Sequence, residues 1–191
     1  MRRLMMPKQF GSLYVCPAHG TEQEQHTIAH ALLREALSDY AQEQQIHLPD
    51  MLEMARTEKG KPYFPDFPAV HFNLSHCRGM AVCLLSPHEC GVDVEQCRPL
   101  REKVVSRVFS PEEQSALQTA DDPDFLFTRL WTLKESYVKA IGIGVSYPMR
   151  EVCFSLTETG VLSNRPDADF RNITEGAFSV SVCILKQKQT Y

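Results

Sequence analysis

Three carboxylates and one lysine have the types and spacings that chemistry on a phosphate group would need. Asp93 and Glu95 are two residues apart in a predicted strand, so both side chains project from one face. Glu135 and Lys139 are four residues apart in a predicted helix, which places them one turn apart on one face. Each pair alone is also typical of a solvated strand edge or an exposed helical ion pair. Because oxygen ligands suit Mg²⁺ and like charges need a cation between them, the three carboxylates together favour a metal site.

The helix that carries the last two residues is predicted to extend from Pro123 to Ile141. Asp122 can cap its first turn, proline is tolerated there, and Gly142 can end it. Its buried stripe consists of apolar residues at helical spacing, namely Phe127, Leu130, Trp131, Val138 and Ile141. Lys134 falls inside this stripe, where a solvated charge is out of place. This position argues against an ordinary helix that carries charges only on its surface.

The composition restricts the class of protein. The chain has 191 residues, of which 43% are hydrophobic and 23% charged, enough apolar material for one large domain or two small lobes. Its net charge of -4 argues against a general nucleic-acid binder. The seven cysteines include no Cys-x-x-Cys pair, which argues against a zinc ribbon and favours reduced thiols. No signal-peptide pattern and no apolar run of membrane-spanning length is present, so we expect a cytoplasmic protein without a membrane partner.

The remaining pattern predicts an α+β protein. Helices are expected at 22–43 and 99–108, and strands at 10–15, 70–75, 80–85, 91–95, 152–156 and 178–185. The three strands between residues 70 and 95 are joined by short loops, which suggests an antiparallel meander. The chain from residue 186 onward is expected to fray. We therefore predict two similar small lobes, 1–97 and 98–191, each an antiparallel sheet packed with one long helix.

Three polar features leave alternatives open. His26 and His30 are one turn apart on the first long helix, a spacing that can bind a metal, but the sequence offers no third ligand nearby. Ser110-Pro111-Glu112-Glu113 has the pattern of a capping box, so capping is the first role predicted for Glu113. Lys61 lies in a turn between a glycine and a proline.

Five stretches occur in a defined order along the chain: Gly60-Lys61-Pro62, Asn73-Leu74-Ser75-His76, Gly91-Val92-Asp93-Val94-Glu95, Phe109-Ser110-Pro111-Glu112-Glu113, and Trp131-Thr132-Leu133-Lys134-Glu135 with Lys139. Together they resemble the 4'-phosphopantetheinyl transferase superfamily, in its pseudo-dimeric branch that activates nonribosomal peptide and polyketide synthetases. The resemblance covers residues 58–156 and is weak over the N-terminal fifth. It is specific because no single motif carries it.

The resemblance implies an enzyme, a 4'-phosphopantetheinyl transferase or holo-[acyl-carrier-protein] synthase. Such an enzyme transfers the phosphopantetheine arm of coenzyme A to a serine hydroxyl of an acyl or peptidyl carrier protein and releases 3',5'-ADP. Mg²⁺, or Mn²⁺ in its place, is the metal that the resemblance implies. It also implies a monomer with pseudo-two-fold symmetry and an active site in the cleft between the two lobes.

The resemblance also assigns roles to residues. Asp93, Glu95 and Glu135 would hold the metal against the pyrophosphate, and Lys134 and Lys139 would meet the pyrophosphate itself. The coenzyme A nucleotide would be bound by Lys61, Pro62, Ser75 and His76, of which His76 would hold the 3'-phosphate, and Thr27 also fits the pattern. A carboxylate suits removal of the serine proton, with Glu135 as the preferred base and Glu113 as the alternative.

The sequence departs from this family pattern over its first long helix. The segment 11–33 contains neither lysine nor arginine, and His26 stands where an arginine is common. Two expectations follow from this departure. Either coenzyme A binds less tightly, or Arg2, Arg3 and Lys8 compensate.

Two other functions agree with parts of the sequence. A non-catalytic module that binds coenzyme A or a carrier protein would account for the missing basic residues, but the complete set of three carboxylates speaks against it. A metal-dependent nuclease or phosphodiesterase would account for the carboxylates. It would not account for Lys61 and the pair Ser75 and His76, and the chain has no basic-groove signature.

Overall fold

The computed structural model describes residues 1–49 and 52–187, and within these ranges the chain forms antiparallel strands and four α-helices. The strands are β1 (Arg2–Leu4), β2 (Ser12–Cys16), β3 (Ala55–Arg56), β4 (Pro62–Tyr63), β5 (His71–Cys77), β6 (Met80–Ser86), β7 (Cys90–Gln96), β8 (Phe154–Thr157), β9 (Gly160–Ser163), β10 (Ala168–Glu175) and β11 (Phe178–Leu185). The helices are α1 (Glu22–Gln44), α2 (Glu102–Val108), α3 (Pro111–Thr119) and α4 (Pro123–Ile141).

Two antiparallel sheets form the framework. The first has the strand order β1-β2-β6-β5 and the second the order β10-β11-β7, while β3-β4 and β8-β9 form two small ribbons. Helix α1 packs on the first sheet and α4 on the second. The predicted α+β fold, in which one long helix packs on each of two antiparallel sheets, is confirmed.

The two sheets face each other across one apolar core. Leu13, Val82 and Leu84 of the first sheet belong to the same cluster as Val92 and Val180 of the second. Side chains alternate between the two faces of a strand, so the opposite face of each sheet is left for a helix to cover. Under α1 that face carries Tyr14, Phe72, Ala81, Cys83 and Leu85. The layers are therefore helix, sheet, sheet and helix.

The predicted meander is wrong in its third strand. β5 pairs with β6 as expected, with Leu74 opposite Cys83. β7, in contrast, pairs with β11, with Asp93 opposite Ser181. A strand has only two edges, and β6 already uses its second edge to pair with β2. β7 thus precedes the predicted lobe boundary at residue 97 and pairs with a strand beyond it.

Local signals decided most helix ends. The capping box predicted at Ser110 and Glu113 is present at the start of α3, and Thr21 and Glu24 form another at the start of α1. Asp122 caps α4, and Gly142 ends it with a φ of 68°, so α4 has its predicted bounds. α2 begins at Glu102 rather than Pro99, and no side chain caps it. β10 was not predicted, because charged and polar residues interrupt its apolar alternation.

Two sequence expectations concern the chain ends and membranes. The predicted fraying from residue 186 onward falls largely outside the described residues. In the part of the chain that the structure describes, no helix combines the length and apolarity that crossing a lipid bilayer requires.

Candidate active site

The candidate site lies where α4 crosses the outward face of β7, and Gly91 allows the close approach. A Cβ atom on Gly91 would come within 2.5 Å of the Ala140 backbone nitrogen and closer still to the Ser136 carbonyl oxygen. Only glycine lets the two backbones lie so close. Since residues 91, 93 and 95 share one face of the strand, this contact places α4 over Asp93 and Glu95.

Lys139 joins α4 to polar residues on both sheets. Its Nζ donates to Asp93 Oδ1 at 2.7 Å and to Ser75 Oγ at 3.0 Å. Ser75 Oγ donates in turn to the same Asp93 oxygen at 2.9 Å and accepts a hydrogen bond from the Val94 backbone nitrogen at 3.3 Å. Asp93 and Ser75 are buried, whereas the Lys139 side chain is 28% exposed. Residues from three separate sequence motifs thus meet within hydrogen-bond distance.

The second carboxylate oxygen of Asp93 is available for a further ligand. Asp93 Oδ2 is buried and has no hydrogen-bond partner among the described residues. Glu95, on the same face, pairs through Oε1 with Arg98 at 3.3 Å. The Arg98 guanidinium lies 5.5 Å from the centre of the Trp131 ring. Burial raises the pKa of Glu95, and the positive charge of Arg98 opposes that rise.

Glu135 lies within electrostatic range of both strand carboxylates. Burial is the main cause that raises the pKa of Glu135 to about 7, and the negative charge of Asp93 acts in the same direction. Lys139 opposes this rise, and Glu95 adds to it. Asp93, Glu95 and Lys139 all act on the charge of Glu135, which agrees with a position of Glu135 near the carboxylate face of β7.

The arrangement fits a divalent cation. Asp93 Oδ2 is buried without a partner, and the pKa of Glu135 is raised. Both properties are expected of a carboxylate cluster whose cation is absent. Over residues 1–49 and 52–187, no three His, Cys, Asp or Glu side chains stand ready in the arrangement of a metal site. The assignment of Asp93, Glu95 and Glu135 as metal ligands therefore stays a prediction.

Lys134 and Glu113 lie in the core of the C-terminal half. Their side chains are 0% and 1% exposed, and Lys134 Nζ lies 2.8 Å from Glu113 Oε2. Lys134 also donates to the carbonyl oxygens of Met149, at 3.0 Å, and Val152. Glu113 Oε1 accepts from the Phe154 backbone nitrogen at 2.9 Å. Neither side chain has a surface open to a substrate, so this position does not support the pyrophosphate contact predicted for Lys134 or the general-base role considered for Glu113.

Lys61 is held at the C-terminal end of α4. Its Nζ donates to the Ala140 carbonyl oxygen at 2.6 Å and pairs with Glu89, which His71 Nδ1 approaches at 3.4 Å. The hydrogen bonds from His71 and from Lys61 lower the pKa of Glu89 to about 2. A cation at this end of a helix also interacts favourably with the helix dipole. Lys61 and its neighbour Pro62 line a cavity of about 300 Å³, and their predicted role in nucleotide binding remains a prediction.

Ser75 and His76 are adjacent in the chain but serve opposite faces of β5. Ser75 faces β7, whereas the His76 ring faces α1 and lies 6.1 Å from the ring of His26. The His26 ring is in turn 4.4 Å from that of His30. A third histidine is therefore present beside the pair that the sequence had shown alone. Thr27, also on α1, is exposed, and its hydroxyl donates at 2.9 Å to the carbonyl four residues earlier in its own helix.

Arg2 and Arg3 do not supply the missing basic charge near the histidines. Arg2 pairs with Glu175 at 2.6 Å, and Arg3 pairs with Glu43 at 2.8 Å. Glu43 is near the end of α1, about 25 Å along the helix axis from His26. The predicted compensation by these two arginines is not supported.

Sequence reasoning assigned no role to two residues of the site, Gly91 and Arg98. Gly91 offered a signal, because an isolated glycine within a predicted strand indicates a bulge or a close backbone approach. Arg98 offered none, since it is one of several charged residues in a segment without clear periodicity. Its pairing with Glu95 depends on how the chain leaves β7.

Comparison with known proteins identifies the class of this chain. A family model described as the 4'-phosphopantetheinyl transferase superfamily matches residues 89–188, the range that contains β7, α4 and β11. The chain therefore belongs to the 4'-phosphopantetheinyl transferase superfamily, and the resemblance predicted from its motifs is confirmed.

Three relatives illustrate how far the similarity extends. A 4'-phosphopantetheinyl transferase of Bacillus subtilis is 38% identical over 108 residues, which is 56% of this chain and 48% of that protein. The 4'-phosphopantetheinyl transferase Sfp of Bacillus subtilis strain 168 is 33% identical over 114 residues, 59% of this chain and 51% of that protein. The 4'-phosphopantetheinyl transferase psf-1 of Bacillus pumilus is 30% identical over 164 residues, 81% of this chain and 70% of that protein. The chain spans about half the length of the first two relatives.

Proposed function

We propose that this chain transfers the 4'-phosphopantetheine arm of coenzyme A to a serine of an acyl or peptidyl carrier protein, with Mg²⁺ as cofactor. Membership of the superfamily supports the proposal. The observation that carries it is the cluster of Lys139, Ser75 and Asp93 under α4, beside the carboxylate of Glu135. The cluster places a cation, an unpartnered carboxylate oxygen and a glutamate with a pKa of about 7 in one place.

Lys139 provides positive charge for the phosphates of coenzyme A. Its side chain is 28% exposed and reaches Asp93 at the surface of the site. An ammonium group in this position can exchange the aspartate for a phosphate oxygen when a substrate enters. Charge that develops on the leaving phosphate is then stabilised by a group that is already in place.

Asp93, Glu95 and Glu135 would hold the metal ion. When bound, Mg²⁺ or Mn²⁺ would neutralise the pyrophosphate and polarise the phosphoryl group that is attacked. The carboxylates themselves would supply oxygen atoms, which are the ligand type that Mg²⁺ prefers. Ser75 orients Asp93 through its hydrogen bond to Oδ1 and leaves Oδ2 unpartnered.

The proposed reaction is a single displacement at phosphorus. The serine oxygen of the carrier forms a bond to the phosphorus of the phosphopantetheine phosphate, and the bond from that phosphorus to the bridging oxygen breaks. The electron pair leaves with 3',5'-ADP, and the serine proton passes to a carboxylate oxygen of Glu135. A carboxylate oxygen within the site is a suitable acceptor for that proton.

The nucleotide of coenzyme A would extend toward the face of β5 that carries His76. This ring faces α1 rather than the carboxylates, so the 3'-phosphate and the pyrophosphate would lie on different sides of the strand. We retain His76 as the residue that binds the 3'-phosphate. Thr27 lies one residue after His26 on α1 and is exposed, so we retain it as a residue that binds the nucleotide.

One assay tests the proposal. The purified chain is incubated with Mg²⁺, coenzyme A and a panel of apo-carrier proteins from fatty-acid, peptide, polyketide and lysine-biosynthetic systems. We expect at least one carrier to gain the mass of one phosphopantetheine group, with one equivalent of 3',5'-ADP released. EDTA, or a carrier whose acceptor serine is alanine, should abolish the gain.

The outcomes separate the alternatives. Asp93→Asn should lose transfer, because it removes the charge of a predicted metal ligand, whereas a substitution of the exposed Lys186 should not. Tight binding of coenzyme A without transfer to any carrier would instead indicate a non-catalytic binding module. Ranking the carriers by kcat/KM then identifies the natural class of partner.

A further inference from the structure

Arg98 brings a positive charge to the carboxylates of the candidate site. Its Nη2 atom lies 3.3 Å from Glu95 Oε1, and its guanidinium carbon lies 5.5 Å from the centre of the Trp131 ring. Trp131 and Glu135 are four residues apart on α4, so they share one face of the helix. The guanidinium therefore reaches from the strand that carries Glu95 to the helix face that also carries Glu135.

The pair formed by Arg98 and Glu95 is loose and partly solvated. Its distance of 3.3 Å is longer than the about 2.7–2.9 Å of a good charge-assisted hydrogen bond. The two side chains are 31% and 25% exposed, and such ion pairs contribute little net stability. Arg98 Nε is buried and has no hydrogen-bond partner among the described residues. Arg98 can therefore leave Glu95 at small cost and has a donor to offer to another ligand.

Two basic side chains of the chain itself neutralise the predicted metal ligands. Lys139 Nζ lies 2.7 Å from Asp93 Oδ1, and Arg98 lies against Glu95. Burial raises the pKa of Glu95 and of Glu135, and the positive charge of Arg98 opposes both rises. A divalent cation at the carboxylates would compete with the guanidinium for the same oxygen atoms and would also repel it. The metal and the paired guanidinium therefore exclude each other.

We propose that Arg98 is a displaceable counter-ion of the metal site: it pairs with Glu95 until a diphosphate enters, and then releases this carboxylate to the metal and pairs with the diphosphate. The inference rests on the proposed function for the metal ligands and for the diphosphate of coenzyme A. A metal ion that binds alone must displace the guanidinium without compensation. A diphosphate compensates for the displacement, because a guanidinium binds phosphate oxygens well. Arg98 is thus a positioning residue that makes metal and diphosphate binding strengthen each other.

Binding of Mn²⁺ to the full chain tests the proposal, because free Mn²⁺ is measured by its electron paramagnetic resonance signal. The Kd for Mn²⁺ is determined for the unmodified chain and for Arg98→Gln, alone and with saturating coenzyme A, and a blank of Mn²⁺ with coenzyme A is subtracted. We expect Arg98→Gln to bind Mn²⁺ alone about tenfold more tightly, because no cation has to leave Glu95. Coenzyme A should strengthen Mn²⁺ binding at least about fivefold less in the variant than in the unmodified chain. Direct contact between metal and phosphate accounts for the strengthening that remains.

Control variants separate this exchange from a general loss of positive charge. Arg101 also exerts its positive charge on Glu95, but its side chain is exposed and forms no ion pair with a described residue. Arg101→Gln should therefore change the Kd for Mn²⁺ by about twofold or less. Arg98→Lys keeps the charge and should retain most of the coupling. If Arg98→Gln is unstable, NMR of the unmodified chain follows the Nε–H signal of Arg98, which Mg²⁺ with coenzyme A should shift.

Three results would overturn the inference. These are an affinity for Mn²⁺ no higher in Arg98→Gln than in Arg101→Gln, equal strengthening by coenzyme A in Arg98→Gln and the unmodified chain, or an Arg98 Nε–H signal that Mg²⁺ with coenzyme A leaves unchanged. The failure of the transferase proposal is distinguishable from these. A chain that modifies no carrier but loses the coupling in Arg98→Gln keeps the inference. A chain that modifies carriers and keeps the full coupling in Arg98→Gln loses only the inference.

Discussion

Lys134 Nζ lies 2.8 Å from Glu113 Oε2 in a place where neither side chain reaches solvent. The pair connects the start of α3, the middle of α4 and the start of β8, because Glu113 also accepts a hydrogen bond from the Phe154 backbone nitrogen. Lys134 is one residue before Glu135 on α4. A buried pair of this kind contributes little net stability but is costly to break.

Glu113→Gln should therefore destabilise the fold. The substitution leaves the Lys134 ammonium buried without its counter-charge, and we expect a loss of about 3–5 kcal/mol in the free energy of unfolding. Denaturant unfolding measures it. The double variant Glu113→Gln with Lys134→Met removes both charges and should recover most of the loss. Full stability of Glu113→Gln with lost transfer would instead restore Glu113 as a candidate base.

Glu135→Gln should behave in the opposite way. It keeps the size of the side chain but removes the charge that a base and a metal ligand both need, so transfer should fall by at least about 10²-fold. Thermal stability in EDTA near pH 7.5 should be unchanged or higher, since one of three mutually repelling carboxylates is gone. Turnover near that of the unmodified chain would show that Glu135 is neither base nor ligand.

The stability of the metal-free protein should depend on the state of Glu135. Its pKa rises from 4.5 to about 7 on folding, so between these values the folded chain holds a proton that the unfolded chain has released. The free energy of unfolding should therefore decrease as the pH rises through this window, by an amount on the order of 1–3 kcal/mol.

Unfolding in urea from pH 5 to pH 7.5, with EDTA, checks this prediction. Glu135→Gln is the control, because it cannot titrate and should show a smaller slope. His30 and His76, with their lowered pKa values, act in the opposite direction below about pH 6.5 and are present in both proteins. Identical slopes in the two proteins would contradict the raised pKa.

Gly91→Ala tests the close contact of α4 with β7. A Cβ there would meet backbone atoms of Ser136 and Ala140, which cannot move aside like the end of a side chain. We expect a loss of about 1–3 kcal/mol from overpacking, together with weaker Mg²⁺ binding as α4 is displaced from Asp93. Gly160→Ala, where a Cβ would meet nothing within 4 Å, controls for the loss of a glycine but adds strain at its φ of 144°. A Gly91→Ala protein with unchanged stability and metal affinity would contradict the packing described.

Mg²⁺ should stabilise the folded chain. A ligand that binds only the native state raises the free energy of unfolding by about 2.7 kcal/mol at 100 times its Kd. A thermal shift with Mg²⁺ or Mn²⁺ should appear in the unmodified chain and disappear in Asp93→Asn and Glu135→Gln. An equal shift in all three proteins would place the ion elsewhere.

The sequence by itself determined the features that depend on neighbours within a turn or a strand. Capping boxes start α1 and α3. Asp122 and Gly142 set the bounds of α4. The projection of Asp93 and Glu95 from one face of β7 follows from strand alternation. The family could also be read from the sequence, because its motifs are short and keep their order.

Only the tertiary structure decided which residues meet. β7 joins β11 because both edges of β6 are taken, and Gly91 then lets α4 settle over Asp93. The same packing separates residues that sequence reasoning had joined. Lys134, next to Glu135 in the chain, points about 100° away around the helix into the core, where Glu113 is its partner. Local spacing specifies the direction of a side chain from its own element, but what lies in that direction depends on contacts between residues far apart in the chain.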